Sequence, residues 1–223
     1  MHRLSARRAI IDSAMRRFRT RRMRNFFARF QVTSETQILD VGGTPGNWEL
    51  LDVRPRVTLL NMPRATEPGF ENFASVFADA CRLPFRDQSF EIVFSNSVIE
   101  HVGEVERQRE FASEIRRVGR RYWVQTPNRW FPVEQHLLTP FLHWLPRRAQ
   151  AAWAKRWTVW DLIERRTPAD REFYIGHYLD QVRLLSSSQL SALFPGAEIL
   201  RERRFGWTKS LIAVNRDRVQ YSK

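Results

Sequence analysis

Ile38-Leu39-Asp40-Val41-Gly42-Gly43-Thr44-Pro45-Gly46-Asn47-Trp48 is the stretch that decides how this chain folds. A short apolar strand runs into an acidic residue and then into a glycine-rich turn. Gly42 and Gly46 permit positive φ and let a ligand come close to the main chain. The turn is expected to open a helix whose unpaired N–H groups and positive dipole end face it. A doubly wound α/β sheet holds a nucleotide-like ligand at its first strand in this way. The same strand–turn–helix pattern also serves as a plain tight turn, so the neighbouring residues must decide between the two.

Outward from that turn, strand candidates alternate with helices. Gln37–Val41 is followed by Val57–Leu60, Ser75–Ala78, Phe90–Phe94 and Tyr122–Gln125, each closed by polar or turn residues. Glu104–Val118 reads as an amphipathic helix with Phe111, Ile115 and Val118 on one face. Such alternation implies a Rossmann-like α/β fold: a seven-stranded, mostly parallel sheet with helices on both faces. Asp40, Asn61, Asp79, Asn96 and Asn128 all fall at strand ends, where ligands of such sheets bind.

The flanks complete one domain of 223 residues. Residues 1–35 form a basic N-terminal helix, 36–128 a ligand-binding core, and 129–185 a helical insertion rich in tryptophan and proline. Residues 186–215 form a closing helix begun by a serine cap, then a strand pair, Glu198–Phe205 and Thr208–Asn215. The net charge of +13 is carried almost wholly by arginine, since the only lysines are Lys155, Lys209 and Lys223. Ten arginines, Arg22 among them, lie in the first thirty residues against the single acid Asp12. This clustering fits a polyanionic partner or an ordinary solvated face. Cys81 stands alone, which excludes an internal disulfide and any multi-cysteine metal centre. With no signal peptide and no apolar run long enough to span a bilayer, a cytoplasmic protein is expected.

Three further segments carry a resemblance. Asp79-Ala80-Cys81-Arg82-Leu83-Pro84-Phe85-Arg86-Asp87-Gln88-Ser89-Phe90 looks like a D-A-x-x-L-P-F-x-D-x-S-F signature. Ser97-Val98-Ile99-Glu100-His101-Val102 follows the fourth strand, and Thr126-Pro127-Asn128 ends the fifth. With the Asp40–Gly46 turn, these motifs resemble, in order and spacing, the class I S-adenosylmethionine-dependent methyltransferases, most closely their type-11 branch. The resemblance is strong over about residues 36–130. It implies S-adenosylmethionine as cofactor and places Gly42, Gly43 and Gly46 against its methionine part. Asp40 would organise the turn and the cofactor's amino group. Asn61 would face the ribose, Asp79, Ala80 and Leu83 the adenine, and Asn96 the sulfonium. Two departures stand out: Thr44-Pro45 stiffens the turn, and Asn61 replaces the usual acid.

For a hydroxyl acceptor a proton must be removed, and His101 and His136 are the candidate catalytic residues. Each also reads as a structural residue. Glu134 reads either as orienting one of the histidines or as helping to bind a metal, its spacing decides neither, and no metal site is assigned. The motif used for methylating nitrogens is absent, with Ser95-Asn96-Ser97-Val98 in its place. The run Pro127-Asn128-Arg129-Trp130-Phe131-Pro132 resembles type-11 members of polysaccharide and glycolipid assembly, where aromatic rings stack on sugars. The insertion's tryptophans read equally as the core of a lid. The expectation is O-methylation of a sugar, glycolipid or other small-molecule hydroxyl, with peripheral contact to an anionic membrane. RNA methylation, or a catalytically degenerate member that binds membranes or partners, is the alternative.

Overall fold

The structure, a computed structural model, describes residues 2–62, 73–163 and 167–215. A long helix, α1 (His2–Phe30), precedes the strands β1 (Gln37–Val41), β2 (Arg56–Asn61), β3 (Ala74–Phe77) and β4 (Phe90–Asn96). Then come α2 (Val105–Val118) and β5 (Gly119–Pro127). The insertion holds α3 (Arg147–Arg156), α4 (Val159–Ile163) and α5 (Pro168–Gln181); α6 (Ser187–Leu193), β6 (Ala197–Arg204) and β7 (Trp207–Asn215) close the chain. The strands form one sheet in the order β3-β2-β1-β4-β5-β7-β6. Neighbours from β3 to β5 pair in parallel, and β7 runs antiparallel to β5 and β6. The seven-stranded, mostly parallel expectation is borne out.

Alternation along the strands divides the core in two. Ile38, Leu59, Ile92, Phe94, Trp123, Ile212 and Val214 face α1, which covers them with Met23, Phe26 and Phe30. Phe26 sits at the centre, with its ring centroid 4.9 Å from Phe94 and 5.7 Å from Trp123 in edge-on contacts. On the other face, Leu39, Val41, Leu60, Val93 and Val124 meet α2 through Phe111, Ile115 and Val118, and α6 through Leu190. The serine cap of α6 is Ser186, which with Gln189 makes a full capping box.

One local expectation fails. The glycine turn opens only a six-residue 3-10 helix, Pro45–Leu50, capped by no side chain at Thr44. The reason is tertiary: α1 already covers that sheet face, and buried Trp48 joins its cluster in place of a crossover helix. Arg54 then donates to the carbonyls of Trp48 and Leu51, closing the segment before Pro55. Among the described residues no α-helix dipole follows the turn, and the expected helix-end contribution to ligand binding is absent there.

The insertion is helical, as expected, but its tryptophans do not form its core. That core is Leu137, Leu142, Ala154, Ile175, Tyr178 and Val182. Trp130, Trp144, Trp153 and Trp157 lie outside it, 41–58% exposed. The side chain of Trp160 is outside the described residues. Arg129 N–H to the Leu185 carbonyl (2.9 Å) joins the two ends of the insertion, and Arg183 N–H to the Glu100 carbonyl (2.8 Å) ties it to the turn after β4.

Candidate active site

The strand order brings the polar strand-end residues to one edge of the sheet. Val41 and Asn61 end adjacent strands, and Asn96 ends β4 beside them. At the turn, Gly42 has φ 73° and its N–H donates to the Leu60 carbonyl at 2.7 Å. A Cβ on Gly42 would lie 2.4 Å from Val98, and one on Gly43 1.9 Å from the Asp40 carboxylate, whereas Gly46 faces open space. The first two glycines are therefore required by close packing within the protein, while Gly46 leaves room beside the backbone.

Asp40 is fully buried and its Oδ2 accepts from Trp48 Nε1 at 2.7 Å. Its Oδ1 has no partner. Burial pushes this carboxyl up to about 7, against the Trp48 hydrogen bond. Asn61 donates from Nδ2 to the Gly43 carbonyl at 3.0 Å, so it braces the turn. At the end of β3, Asp79 accepts from the Cys81 amide (2.9 Å) and from Arg107 (2.6 Å). Burial works to raise the Asp79 carboxyl, but these bonds outweigh it and hold it below its ordinary value. Ala80 and Leu83 are buried in the α2-side core, and Leu83 N–H donates to Glu114 at 2.7 Å. Cys81 is buried and burial raises its thiol to about 11, so it stays protonated and is no nucleophile.

The space beside Gly46 leaves the main chain of the turn open to a ligand. Asn61 and Asp79 have their hydrogen-bonding groups at the strand ends flanking it.

The other half of the edge is built from distant side chains. After β4, Ser97 takes a left-handed φ of 59°, held by its N–H to the Gln125 carbonyl and its hydroxyl to Gln125 Oε1, both at 3.0 Å. This bend sends the chain into a short 3-10 turn, Ile99–His101. Glu100 is fully buried: Oε2 accepts from Thr126 at 2.9 Å and Oε1 has no partner. Burial pushes its carboxyl up to about 7.

His101 Nε2 lies 3.2 Å from His136 Nε2, and His136 Nδ1 lies 2.6 Å from Glu134 Oε1. Glu134 is wholly buried and also accepts from the amides of His136 (3.0 Å) and Leu137 (2.6 Å). It therefore fixes His136 as the Nδ1–H tautomer, a tautomer assigned from this network. Burial lowers the His101 imidazole to about 4, helped by His136 and His177. Burial also pulls at His136, but the Glu134 hydrogen bond and charge outweigh it and leave it raised. The His177 ring stacks on His101 with centroids 5.5 Å apart. The structure thus brings together the two histidines named from sequence, with Glu134 orienting one of them.

Two participants escaped the sequence reading. In the sequence Glu100 stands only as one letter of the Ser97–Val102 motif. Arg22 was counted among surface arginines, yet it is buried and donates to Glu202, Asn96 and Gln125 (3.1 Å to Gln125). It sits in the stripe Phe18–Arg22–Phe26–Phe30, and that four-residue spacing in an apolar face was the available signal. Through Arg22, α1 is fastened to the ends of β4 and β5 and to β6.

Residues 48–121 match the family model described as a methyltransferase domain. No curated protein matches the chain. Among solved structures, magnesium protoporphyrin IX methyltransferase from Synechocystis PCC 6803, with bound S-adenosylhomocysteine, is similar at 13% identity. That match covers 92% of this chain and 84% of that one, with a TM-score of 0.53. The complex of a Haloferax volcanii methyltransferase activator with its methyltransferase partner is similar at 12% identity. It covers 95% and 92% of the two chains, with a TM-score of 0.51. Likenesses at this identity establish a shared fold. They set the matched methyltransferase domain on a Rossmann-like sheet. The matched domain and the shared fold support an S-adenosylmethionine-dependent methyltransferase similar to the type-11 branch of class I.

Proposed function

We propose that the enzyme methylates a hydroxyl of a sugar, a glycolipid or another small molecule. The observation that carries this reading is the cluster of Glu100, His101 and His136, oriented by Glu134, at the ends of β4 and β5. A hydroxyl acceptor makes use of such a cluster, because it must lose its proton as the bond to carbon forms. Bound S-adenosylmethionine supplies a methyl group on an already activated sulfur. The protein's main task is alignment, which contributes roughly 7–11 kcal/mol in well-oriented systems.

In this reading Asp40, Gly42, Gly43, Gly46, Asn61, Asp79, Ala80, Leu83 and Asn96 form the cofactor side. His101 and His136 engage the acceptor hydroxyl. The exposed tryptophans of the insertion offer flat faces to a sugar, and the adjacent arginines offer donors to phosphate. No described helix is long and apolar enough to cross a membrane. The exposed arginines of α1, Arg16, Arg17, Arg21 and Arg24 among them, suit an anionic membrane surface that presents a glycolipid. We place the enzyme in the cytoplasm, at that surface.

The test is transfer of labelled methyl from S-adenosylmethionine into a panel of glycolipids, free glycans and RNA. A glycolipid or glycan product that gains one CH2 on oxygen is expected. Label entering RNA alone, with binding that weakens steeply with salt, overturns the acceptor class. Calorimetry that detects no S-adenosylhomocysteine binding overturns the cofactor assignment.

A further inference from the structure

We propose that Glu100, His101 and His136 bind a divalent transition-metal cation of the zinc type, with a coordination position left for the acceptor's hydroxyl oxygen. The role of the cation rests on the O-methylation reading, whereas the existence of the site does not.

The ligand atoms of these three residues lie within 4.8 Å of one another. The two imidazole Nε2 atoms are 3.2 Å apart. Two nitrogens bound to one tetrahedral cation at about 2.0–2.1 Å stand about 3.3–3.4 Å apart. The histidine pair is therefore already at chelating separation. Glu100 has to close on the pair by at most roughly 1.5 Å to reach the same spacing.

The surroundings favour a cation for two independent reasons. Glu100 is fully buried, and its Oε1 has no partner while Oε2 is held by Thr126. An unpartnered buried carboxylate oxygen is costly, and a cation relieves that cost. A direct His101–His136 hydrogen bond does nothing for it. Second, His136 gives its Nδ1–H to the buried Glu134 carboxylate at 2.6 Å. Metal-bound histidines are regularly held in this way, with the far nitrogen donating to a carboxylate and the near one left bare.

Two imidazoles and one carboxylate match zinc, and three protein ligands leave an open position. An acceptor hydroxyl bound there becomes more acidic and releases its proton to bulk water. Its oxygen lone pair then forms the C–O bond as the C–S bond breaks. The electron pair of that bond stays on sulfur, and the sulfonium becomes a neutral thioether.

The experiment is a Co2+ titration of the full chain after chelator treatment, read by visible absorption, with Zn2+ as competitor. A ligand-field band saturating at one equivalent and displaced by Zn2+ is expected. His101→Gln, His136→Gln and Glu100→Gln should each abolish the band or weaken binding by far more than tenfold. Glu134→Gln should weaken it roughly 10–100-fold, and His143→Gln should leave it unchanged. Circular dichroism checks that each variant is folded; should Glu100→Gln unfold, the two histidine variants decide.

No band in the folded wild-type chain overturns the site. So does a band that survives unchanged in both histidine variants. Parallel calorimetry with S-adenosylhomocysteine separates the two claims: cofactor binding without Co2+ binding removes only the metal site, and Co2+ binding without cofactor binding removes only the methyltransfer role.

Discussion

The two halves of the site edge are built by different means. The cofactor half, at the ends of β1 to β3, is mostly backbone: a glycine turn, an Asn61 brace, and Asp79 two residues past its strand. Its partners lie close in sequence, such as Trp48 eight residues from Asp40. The acceptor half, at the ends of β4 and β5, is made of side chains from remote segments. His101 meets His136 across 35 positions, and Arg22 meets Glu202 across 180. Each half nevertheless contains a fully buried carboxylate with one oxygen tied and the other unpartnered, Asp40 in one and Glu100 in the other. Both carboxyls are pushed up to about 7 by burial. The contrast teaches that the cradle is specified locally, whereas the acceptor site depends on docking α1 and the insertion.

The largest expected effect breaks the acceptor half. Arg22→Ala removes the cation between Glu202, Asn96 and Gln125 and leaves the part-buried Glu202 unpaired. Loss of one partner from a fully buried pair costs about 3–5 kcal/mol, and this pair should fall at or just below the lower end, which urea unfolding will read as a lower midpoint. Arg22→Lys should recover little, because one ammonium cannot reproduce the two-pronged contact with Glu202. Near-wild-type stability of Arg22→Ala would show that α1 docks through its aromatic face alone.

A smaller effect probes the cofactor half. Asp79→Ala should weaken S-adenosylhomocysteine binding by about 10–100-fold, the worth of a hydrogen bond to a charged group. Stability should change by less than about 1 kcal/mol, because the Arg107 pair lost with it is 38–43% exposed. Calorimetry and thermal melting separate the two outcomes, and unchanged affinity would leave Asp79 with the Cys81 amide and Arg107 as its partners and no role toward the cofactor.

A pH dependence probes the buried carboxylate beneath the turn. Asp40 holds its proton up to about pH 7 in the folded chain, against a carboxyl value of 3.8 when unperturbed. Between these values the folded state binds more protons than the unfolded state. The Asp40 contribution is therefore fully present below pH 3.8 and is lost as pH rises towards 7, at up to about 1.4 kcal/mol per pH unit. Asp40→Asn keeps an acceptor for Trp48 and should remove that slope from the difference between variant and wild type across pH 4–7. Parallel profiles for the two proteins would mean that Asp40 is relieved by a partner in solution.

Much of the cradle was legible in sequence, because glycine, proline and strand-end acids act through local backbone geometry. The helix expected after Gly46 was the exception. Nothing in Pro45-Gly46-Asn47-Trp48 announces that a helix from the N-terminus already covers that sheet face. The exposed placement of Trp130, Trp153 and Trp157 was equally hidden, since helical spacing alone does not say which side of an insertion meets solvent.

The sequence by itself determined the alternating α/β order, the cofactor turn and the two histidines worth watching, because strand periodicity and glycine freedom are properties of a few consecutive residues. Only the tertiary structure decided that Arg22 is a buried strut. It alone set His101 and His136 3.2 Å apart and left Glu100 without a second partner. Those facts depend on which distant segments pack together, and packing is settled by the burial of whole faces rather than by any one motif.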